Sequence, residues 1–474
     1  MKLKKHVNRR QFLKASAVGI AAPYVVPASV FGATAPSNRL NLGIIGCGGK
    51  GHSLTRRFCS NDDVQVVAVC DVVREHRLRT KRMVEQYYTG KTSSDSYIGC
   101  DDYNDFRDVI YRDDIDIIYE ALPYQTKAIV ITMAADAKKD IYGEKPIGYD
   151  ITDGRAIVNA VRRNNIVFQS GTQQRSNENF RFACELALNG RIGKLHTIHA
   201  RLLSRAKDRE LISQMTPEER NKWHRSFYNV VDDRGGQDLR HADVTNIPQP
   251  EMPIPEDFDY DMWLGPAPWA PYTQYRCHFN FRFIFDYGGG RLADWAPHHC
   301  DIAQWGMGMA QSGPVEIEGT GTFPTEGLWN TAISYNLTCK YDNGVKMLVY
   351  DVAQPDCGVL FEGTEGTILV GRTLGIMTKP KNLLTTIIRR NEINLPRSRD
   401  HIRNFIDCVK TREEPVAPVE HGHRATSIST LCNTSLRLGR KLNWDPENEQ
   451  FLEDPEANRM ITRPYRSPWR LKEV

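Results

Sequence analysis

Short apolar runs alternate with helix-like segments between residues 39 and 170. Runs that are apolar on both faces are typical of strands in a parallel sheet that helices cover on both sides. The pattern predicts strands at 39–45, 64–70, 115–121, 141–142 and 166–170, and helices at 51–59, 126–138 and 152–164. Strand, helix and strand in short succession predict a doubly wound α/β domain, for which we take the bounds 36–172.

The rest of the chain, residues 173–474, has a different pattern. Residues 332–337 and 345–350 alternate apolar and polar positions, which is typical of antiparallel strands with one buried face. Residues 205–260 have the character of a long insertion. The prolines after residue 445 mark an irregular tail, which should wrap its own domain or a subunit partner. We therefore expect a C-terminal α+β domain with an open, mostly antiparallel sheet, in a chain that forms a homo-oligomer.

The first 35 residues have the three parts of an export signal. Residues 1–14 carry six Lys or Arg and no acid, residues 15–33 are mostly small and apolar, and Ala33-Thr34-Ala35 offers a cleavage site. Arg9-Arg10-Gln11-Phe12-Leu13-Lys14 resembles the core of a twin-arginine motif. The resemblance implies a protein that the twin-arginine export machinery carries, already folded, to the periplasm or otherwise out of the cytoplasm. The alternatives are an uncleaved anchor and a disordered tail.

Charge and cysteine content exclude several classes of protein. Without the six basic residues of the leader, the chain has 56 Lys and Arg against 58 Asp and Glu. This balance gives no indication of nucleic-acid binding. The eleven cysteines are scattered and include no Cys-x-x-Cys pair. We expect them to be small buried hydrophobic residues rather than a disulfide framework or a metal site.

A glycine-rich turn follows the first predicted strand. Gly46, Gly48 and Gly51 have the spacing of a dinucleotide-binding fingerprint, in which the glycines permit a tight turn, contact with the pyrophosphate and close helix packing. Asp71 ends the next predicted strand about 25 residues later, where a carboxylate can bind the ribose hydroxyls of adenosine. The combination predicts a Rossmann domain that binds NAD. Asp71 would repel a 2′-phosphate, so NADP is the less favoured alternative, which Arg74 keeps open.

Glu144-Lys145-Pro146 follows the fourth predicted strand, at the edge where open α/β sheets bind ligands. Together with the glycine fingerprint, this tripeptide resembles the Gfo/Idh/MocA oxidoreductases, the group of glucose–fructose oxidoreductase and inositol dehydrogenase. The resemblance implies that Lys145 lies beside the nicotinamide and contacts the reacting hydroxyl. It also implies a cis peptide bond before Pro146, and cofactor contacts from Pro123 and Glu144. Lys127 departs from the family pattern, which often has histidine at this position.

A second group of polar residues lies at 294–305. If this segment is helical, Asp294, His298, Asp301 and Trp305 share one face, and Pro297 fits the first turn. The family has Asp-x-x-x-His here, with the histidine as acid/base. The resemblance therefore implies that His298 is the catalytic base and Asp294 its neighbour. An N-cap role is the structural alternative for Asp294.

Three further residues are candidate substrate contacts, namely Arg175, Asp301 and His299. Arg175 follows the last strand of the first domain, where its side chain either points into the interdomain cleft or joins the domains by hydrogen bonds. His299 is displaced by ~100° from His298 around a helix, so it should face a different surface.

The chemistry of alcohol oxidation fits the candidate residues independently. Removing hydride from carbon also requires a base for the hydroxyl proton, and a fixed ammonium stabilises the developing alkoxide. The leading hypothesis is an exported NAD-dependent oxidoreductase that acts on a secondary hydroxyl of a sugar or glycoside and recycles a tightly bound cofactor. One alternative is an NAD-dependent glycosidase that oxidises the sugar, eliminates the aglycone and returns the hydride, with Tyr287 as one candidate base. The other is a non-catalytic sugar-binding or assembly protein.

Overall fold

The computed structural model describes residues 39–92, 97–203, 250–273, 275–353 and 356–471, together with positions 214, 216, 218 and 219. The predicted export signal at 1–35 and most of the predicted insertion at 205–260 lie outside the described residues. Within these ranges, no helix is both long enough and apolar enough to cross a membrane.

A six-stranded parallel sheet forms the N-terminal half, in the order β3-β2-β1-β4-β5-β6. Its strands are β1 (Leu40–Ile45), β2 (Val64–Cys70), β3 (Asp101–Tyr103), β4 (Ile117–Glu120), β5 (Asp140–Gly143) and β6 (Phe168–Ser170). The helices are α1 (Gly49–Cys59), α2 (Arg74–Thr92), α3 (Phe106–Ile110), α4 (Tyr124–Asp136) and α5 (Ile151–Asn164). Every residue of β4 and β5 is buried. The structure confirms the predicted doubly wound sheet. Its strand order reverses between β1 and β4, the point at which such sheets bind ligands.

A nine-stranded sheet forms the C-terminal half, in the order β13-β12-β11-β7-β10-β9-β8-β14-β15. Its strands are β7 (Leu195–Leu203), β8 (Glu316–Thr322), β9 (Ser334–Lys340), β10 (Lys346–Val352), β11 (Gly358–Gly363), β12 (Gly366–Gly371), β13 (Gly375–Lys379), β14 (Leu442–Asp445) and β15 (Gln450–Phe451). Among the described strand pairs of this sheet only β7 and β10 are parallel, so the predicted mostly antiparallel sheet is confirmed. The predicted homo-oligomer stays a prediction.

Helices cover one face of this second sheet. The helices of the C-terminal half are α6 (Glu178–Leu188), α7 (Tyr260–Leu264), α8 (Gly290–Gly306), α9 (His401–Thr411), α10 (Val419–Leu438) and α11 (Pro455–Asn458). The polar stripe predicted at 294–305 lies on α8, as expected for a helix. The position predicted for Pro297 is wrong, because α8 begins at Gly290 and Pro297 therefore lies in its interior. Gly289 is the N-cap, so Asp294 does not cap this helix.

The two halves share their cores. Phe405 and Ile406 of α9 belong to the same apolar cluster as Leu42 of β1 and Val66 of β2. Tail residues pack on the N-terminal half as well, and the Tyr465 hydroxyl donates to the Asp153 carboxylate. The tail therefore packs on both halves of its own chain and extends beyond the domain that it was expected to wrap, while a contact with a subunit partner stays a prediction. The domain division at residue 172 stays a prediction, although the packing crosses it.

All eleven cysteines are buried and free, which confirms their predicted role as small apolar residues. In the described part of the chain, no group of three or more His, Cys, Asp or Glu side chains is placed to hold a metal ion.

Candidate active site and cofactor cleft

The glycine turn leaves room for a dinucleotide at the end of β1. Gly46 has φ +95°, and a Cβ there would lie 2.4 Å from the carbonyl oxygen of Ala121. A Cβ at Gly51 would lie 1.8 Å from the carbonyl oxygen of Gly46, so α1 can approach β1 only without a side chain at this position. Gly48 lines a cavity, and a Cβ there would meet no described atom within 4 Å. The N-terminus of α1 borders the same cavity, a geometry that suits a pyrophosphate.

Asp71 borders the cavity at the end of β2. Its carboxylate accepts hydrogen bonds from the backbone amides of Cys47 at 2.7 Å and Val73 at 2.8 Å. Burial alone would raise the pKa of Asp71, but His76 and the two amides outweigh burial and lower it. The carboxylate is therefore a fixed anion, which suits ribose hydroxyls and opposes a 2′-phosphate. Arg74 begins α2 directly after Val73, the last lining residue of this turn.

We expect Gly48→Ala to weaken NAD binding without destabilising the fold. The φ of Gly48 is −63°, which alanine adopts without strain, and the new methyl group would occupy space needed by the pyrophosphate. The dissociation constant measured by titration of cofactor-free protein should rise at least about tenfold, while the free energy of unfolding changes by less than about 0.5 kcal/mol. Gly90→Ala is the matched control, because a Cβ at Gly90 also meets no described atom within 4 Å. Unchanged NAD affinity in Gly48→Ala would place the pyrophosphate elsewhere.

Residues 257–273 and 275–283 cover the cavity from the C-terminal half, and we call them the covering segment. The cavity lining includes four of its apolar side chains, Met262, Trp263, Phe279 and Phe281. Backbone hydrogen bonds join it to the turn after β2, from Asp259 N to Val72 O and from Arg74 N to Asp257 O, both at 2.9 Å. Opening the cleft on this side requires these bonds to break.

Lys145 and Asp294 meet between the two halves. The Lys145–Pro146 peptide bond is cis, as the resemblance implied. Lys145 Nζ donates to Asp294 Oδ1 at 2.8 Å and to the Asp294 carbonyl oxygen at 2.7 Å. Burial lowers the pKa of Lys145, and Asp294 offsets only part of that effect. Two of the predicted catalytic residues are thus in direct contact.

Three further side chains, which the sequence analysis missed, converge on Asp294. Arg291 Nη1 donates to Oδ2 at 3.1 Å, Arg282 Nε to Oδ1 at 3.3 Å and the Tyr124 hydroxyl to Oδ1 at 3.2 Å. Burial opposes ionisation of this carboxyl, but the surrounding cations, Lys145 foremost, outweigh it and hold the pKa of Asp294 well below its usual range. The i, i+3 spacing of Arg291 and Asp294 was a usable signal. Arg282 and Tyr124 come from other elements, and their spacing gave none.

His298 lies one helical turn after Asp294 and has a free ring nitrogen. Its Nδ1 is buried and has no hydrogen-bond partner among the described residues. Burial, followed by the charges of Arg372 and Lys145, lowers the pKa of His298 well below 6.5. The imidazole is therefore neutral at physiological pH and can accept a proton.

The three predicted substrate contacts have bonding partners within the chain. Arg175 and Asp301 form an ion pair at 2.7 Å, and both side chains are only 1% exposed. His299 Nδ1 bonds the backbone carbonyl of Arg201 at 2.8 Å, on the side of β7. Their polar groups are thus buried and bonded within the chain, and their predicted contact with substrate stays a prediction. Arg175 also donates to the backbone carbonyl of Val416, so its bonds join elements within the C-terminal half.

The remaining predicted cofactor contacts are Pro123, which follows β4, and Glu144, which follows β5. Pro123 lines the cavity as the N-cap of α4. The Glu144 carboxylate lies 3.4 Å from Lys50 Nζ, at the start of α1. Lys127 is fully buried, and its Nζ donates to Glu120 at 2.8 and 2.9 Å and to the backbone carbonyl of Glu144 at 2.7 Å. Where the family often has histidine, this chain thus has a buried ion pair that holds the backbone beside Lys145.

A doubly wound sheet with an open glycine turn and an acid at the end of β2, together with a lysine bonded to Asp294 one helical turn before His298, indicates a nicotinamide-dependent oxidoreductase. Residues 40–172 match the description "Oxidoreductase family, NAD-binding Rossmann fold", and residues 226–471 match "Oxidoreductase family, C-terminal alpha/beta domain". The chain belongs to the Gfo/Idh/MocA family of oxidoreductases, and its N-terminal half is an NAD-binding Rossmann domain.

Known relatives resemble this chain over part of their length. Inositol 2-dehydrogenase of Salmonella typhimurium is 27% identical over 164 residues, which is 34% of this chain and 45% of that protein. Alpha-N-acetylgalactosaminidase of Shewanella oneidensis is 27% identical over 183 residues, 33% of this chain and 38% of that protein. The matches thus span less than half the length of these curated relatives.

Solved structures share the fold over nearly their whole length. Scyllo-inositol dehydrogenase of Lactobacillus casei, with bound NAD(H) and scyllo-inositol, superposes with a TM-score of 0.54 at 14% identity. The superposition covers 85% of this chain and 99% of that one.

Proposed function

We propose that this protein oxidises a secondary hydroxyl of a sugar or glycoside and keeps its NAD bound between turnovers. The observation that supports this most is the joint presence of an ammonium at Lys145 and a neutral imidazole at His298 around one buried carboxylate. When bound, NAD accepts the hydride from carbon and can return it. The conjunction of Lys145, Asp294 and His298 argues against a non-catalytic sugar-binding protein.

Each side chain has a separate task in this proposal. His298 takes the hydroxyl proton, because its lowered pKa keeps the ring unprotonated. The ammonium of Lys145 stabilises the alkoxide that forms as the proton leaves. Asp294 fixes that ammonium through the hydrogen bond at 2.8 Å. Hydride and proton thus leave the substrate by different routes, and a ketone remains.

Export and cofactor recycling form the second part of the proposal. The leader resembles a twin-arginine signal, and that route carries folded proteins, so NAD can bind before export. Little free NAD is expected outside the cytoplasm. The covering segment supports retention, since its backbone bonds to the turn after β2 would have to break before NAD could leave. The reduced cofactor is then reoxidised in place, by a second substrate, a redox partner or return of the hydride.

An NAD-dependent glycosidase is the second candidate function, and one observation favours it. The Tyr124 hydroxyl lies 3.2 Å from Asp294, and burial together with Asp294 raises the pKa of Tyr124. The position of Tyr124 beside Asp294 and Lys145 makes it a candidate acid/base for the elimination step. Tyr287, the earlier candidate, is fully buried in an aromatic cluster with its hydroxyl 3.3 Å from Arg276, so its position does not favour that role.

Aryl glycosides separate the two functions. A dehydrogenase is expected to give a stable ketosugar that keeps its aglycone, detected by mass spectrometry, and to leave the bound cofactor reduced. A glycosidase would release the aryl alcohol rapidly with no net reduction of the cofactor. Absence of both reactions over a broad glycoside panel would contradict the proposed oxidation.

Both limbs of the pH profile of hydride transfer should lie at lower pH than the ordinary pKa values of histidine and lysine would give. Oxidation needs neutral His298 and charged Lys145. The pKa of His298 is lowered from 6.5, so activity should persist below that pH as the solution becomes more acidic. The pKa of Lys145 is lowered from 10.5, so activity should fall before pH 10.5 is reached on the alkaline side. Single-turnover reduction of the bound cofactor measures both limbs, and an acid limb at or above pH 6.5 would contradict His298 as the base.

A further inference from the structure

The candidate active site carries more positive than negative charge among the described residues. Lys145, Arg282 and Arg291 all donate to the single carboxylate of Asp294. One carboxylate balances only one of these three cations. The Nε and Nη2 atoms of Arg291 are buried and have no hydrogen-bond partner in the part of the chain that the structure describes. Because arginine stays protonated in proteins, this excess of charge persists at any physiological pH.

Arg372 adds a fourth cation. Part of the residue is exposed to solvent, but burial lowers the pKa of its guanidinium, so this cation is half-enclosed. It directly follows β12, and its guanidinium carbon lies 5.1 Å from the ring centroid of Trp295. The Trp295 ring in turn lies 5.8 Å from the ring of His298. Among the described residues, Arg372 makes no hydrogen bond or ion pair. The nearby carboxylates of Asp294 and Glu144 are bonded to other groups.

Buried or half-enclosed cations without a counter-charge are costly, and a site that must stay open for a ligand can obtain that charge from the ligand. A guanidinium fork matches the two oxygens of a carboxylate or a phosphate and binds them by charge-assisted hydrogen bonds. The oxidised nicotinamide carries a further positive charge when it is bound. A neutral sugar would leave all of this charge uncompensated.

We propose that the substrate is a sugar anion, whose carboxylate or phosphate binds Arg372 beside Trp295 while its reacting hydroxyl meets Lys145 and His298. This inference rests on the proposed function, since it names the class of sugar that the same site accepts. Arg372 is then the residue that sets specificity, and Arg291 and Arg282 supply the surrounding positive field.

The test measures sugar binding to the NAD-loaded protein by calorimetry, with D-glucuronate, D-glucose 6-phosphate and D-glucose as probes. At least one of the two anions should bind about tenfold or more tightly than glucose, because hydrogen bonds to a charged group are the stronger ones. Arg372→Gln should bring that ratio close to one, and Arg372→Lys should keep part of it. Arg390→Gln is the matched control, since Arg390 is an exposed arginine that contacts none of the site residues. Preference for one anion over the other separates carboxylate from phosphate as the natural group.

Three results would overturn the anion site: equal binding of glucose and both anions, no binding of either anion, or an unchanged ratio in Arg372→Gln. Failure of the proposed function has a different signature. If the anions bind preferentially but no sugar ever reduces the bound cofactor, the oxidation is contradicted and the anion site remains.

Discussion

His298→Ala is expected to slow hydride exchange between sugar and bound NAD by about 10²- to 10⁴-fold, the contribution that a positioned general base makes. The cofactor should stay bound, because His298 is not among the residues that line the NAD cavity. Stopped-flow absorbance of the reduced nicotinamide gives the rate, and acid release gives the bound NAD.

His299→Gln is the control for this substitution. The two histidines are neighbours on α8 and both are buried, but His299 bonds the backbone of Arg201 instead of having a free nitrogen. We expect His299→Gln to lower stability somewhat and to leave the hydride step within about threefold of wild type, since a lost neutral hydrogen bond is worth about 1 kcal/mol. Near-normal turnover in His298→Ala would remove this residue from the mechanism.

Lys127→Met should lower the free energy of unfolding by about 3–5 kcal/mol, because it leaves Glu120 charged or protonated in the interior without its partner. Burial already raises the pKa of Glu120, and Lys127 offsets part of that effect. Chemical denaturation gives the change in stability. Loss of the bond from Lys127 to the carbonyl of Glu144 should also displace Lys145, so the rate of hydride transfer should fall as well.

The double variant Lys127→Met, Glu120→Gln removes both charges and should recover part of the stability. Lys139→Met is the matched single control, because Lys139 is also buried but donates to the backbone carbonyls of Arg112 and Ile115 instead of a carboxylate. It should cost about 1–3 kcal/mol and leave hydride transfer unchanged. Equal effects of the two lysine substitutions on the rate would contradict a positioning role for Lys127.

The sequence pattern predicted the two sheets well because a buried strand face produces a local pattern of apolar residues. β4 and β5 are buried at every residue and have consecutive apolar residues at 117–119 and 141–142, and β10 alternates as a strand with one buried face does. The pattern did not predict α2, because this helix is largely polar and has weak amphipathic character. The start of α8 was also misplaced, because Pro297 was expected in a first turn and lies in the helix interior instead.

Site residues could be predicted from the sequence only when they belong to a contiguous motif or are spaced as neighbours on one face of a helix. Gly46, Asp71, Lys145 and His298 belong to such motifs, and their catalytic or binding roles stay predictions. The contacts of Arg282 and Tyr124 with Asp294 form between elements that are distant in the sequence, so no local spacing indicates them. The same limit explains Arg175 and Asp301, whose mutual ion pair spans 126 positions.

The central claim is that NAD stays in its cleft and is reduced there by a sugar. The most direct measurement is to isolate the native protein, dialyse it extensively, quantify the nucleotide released by acid, and add glycosides without external NAD. The account predicts stoichiometric NAD(H) and sugar-dependent reduction of that bound cofactor. Protein that is free of nucleotide and turns over only when NAD is supplied would contradict it.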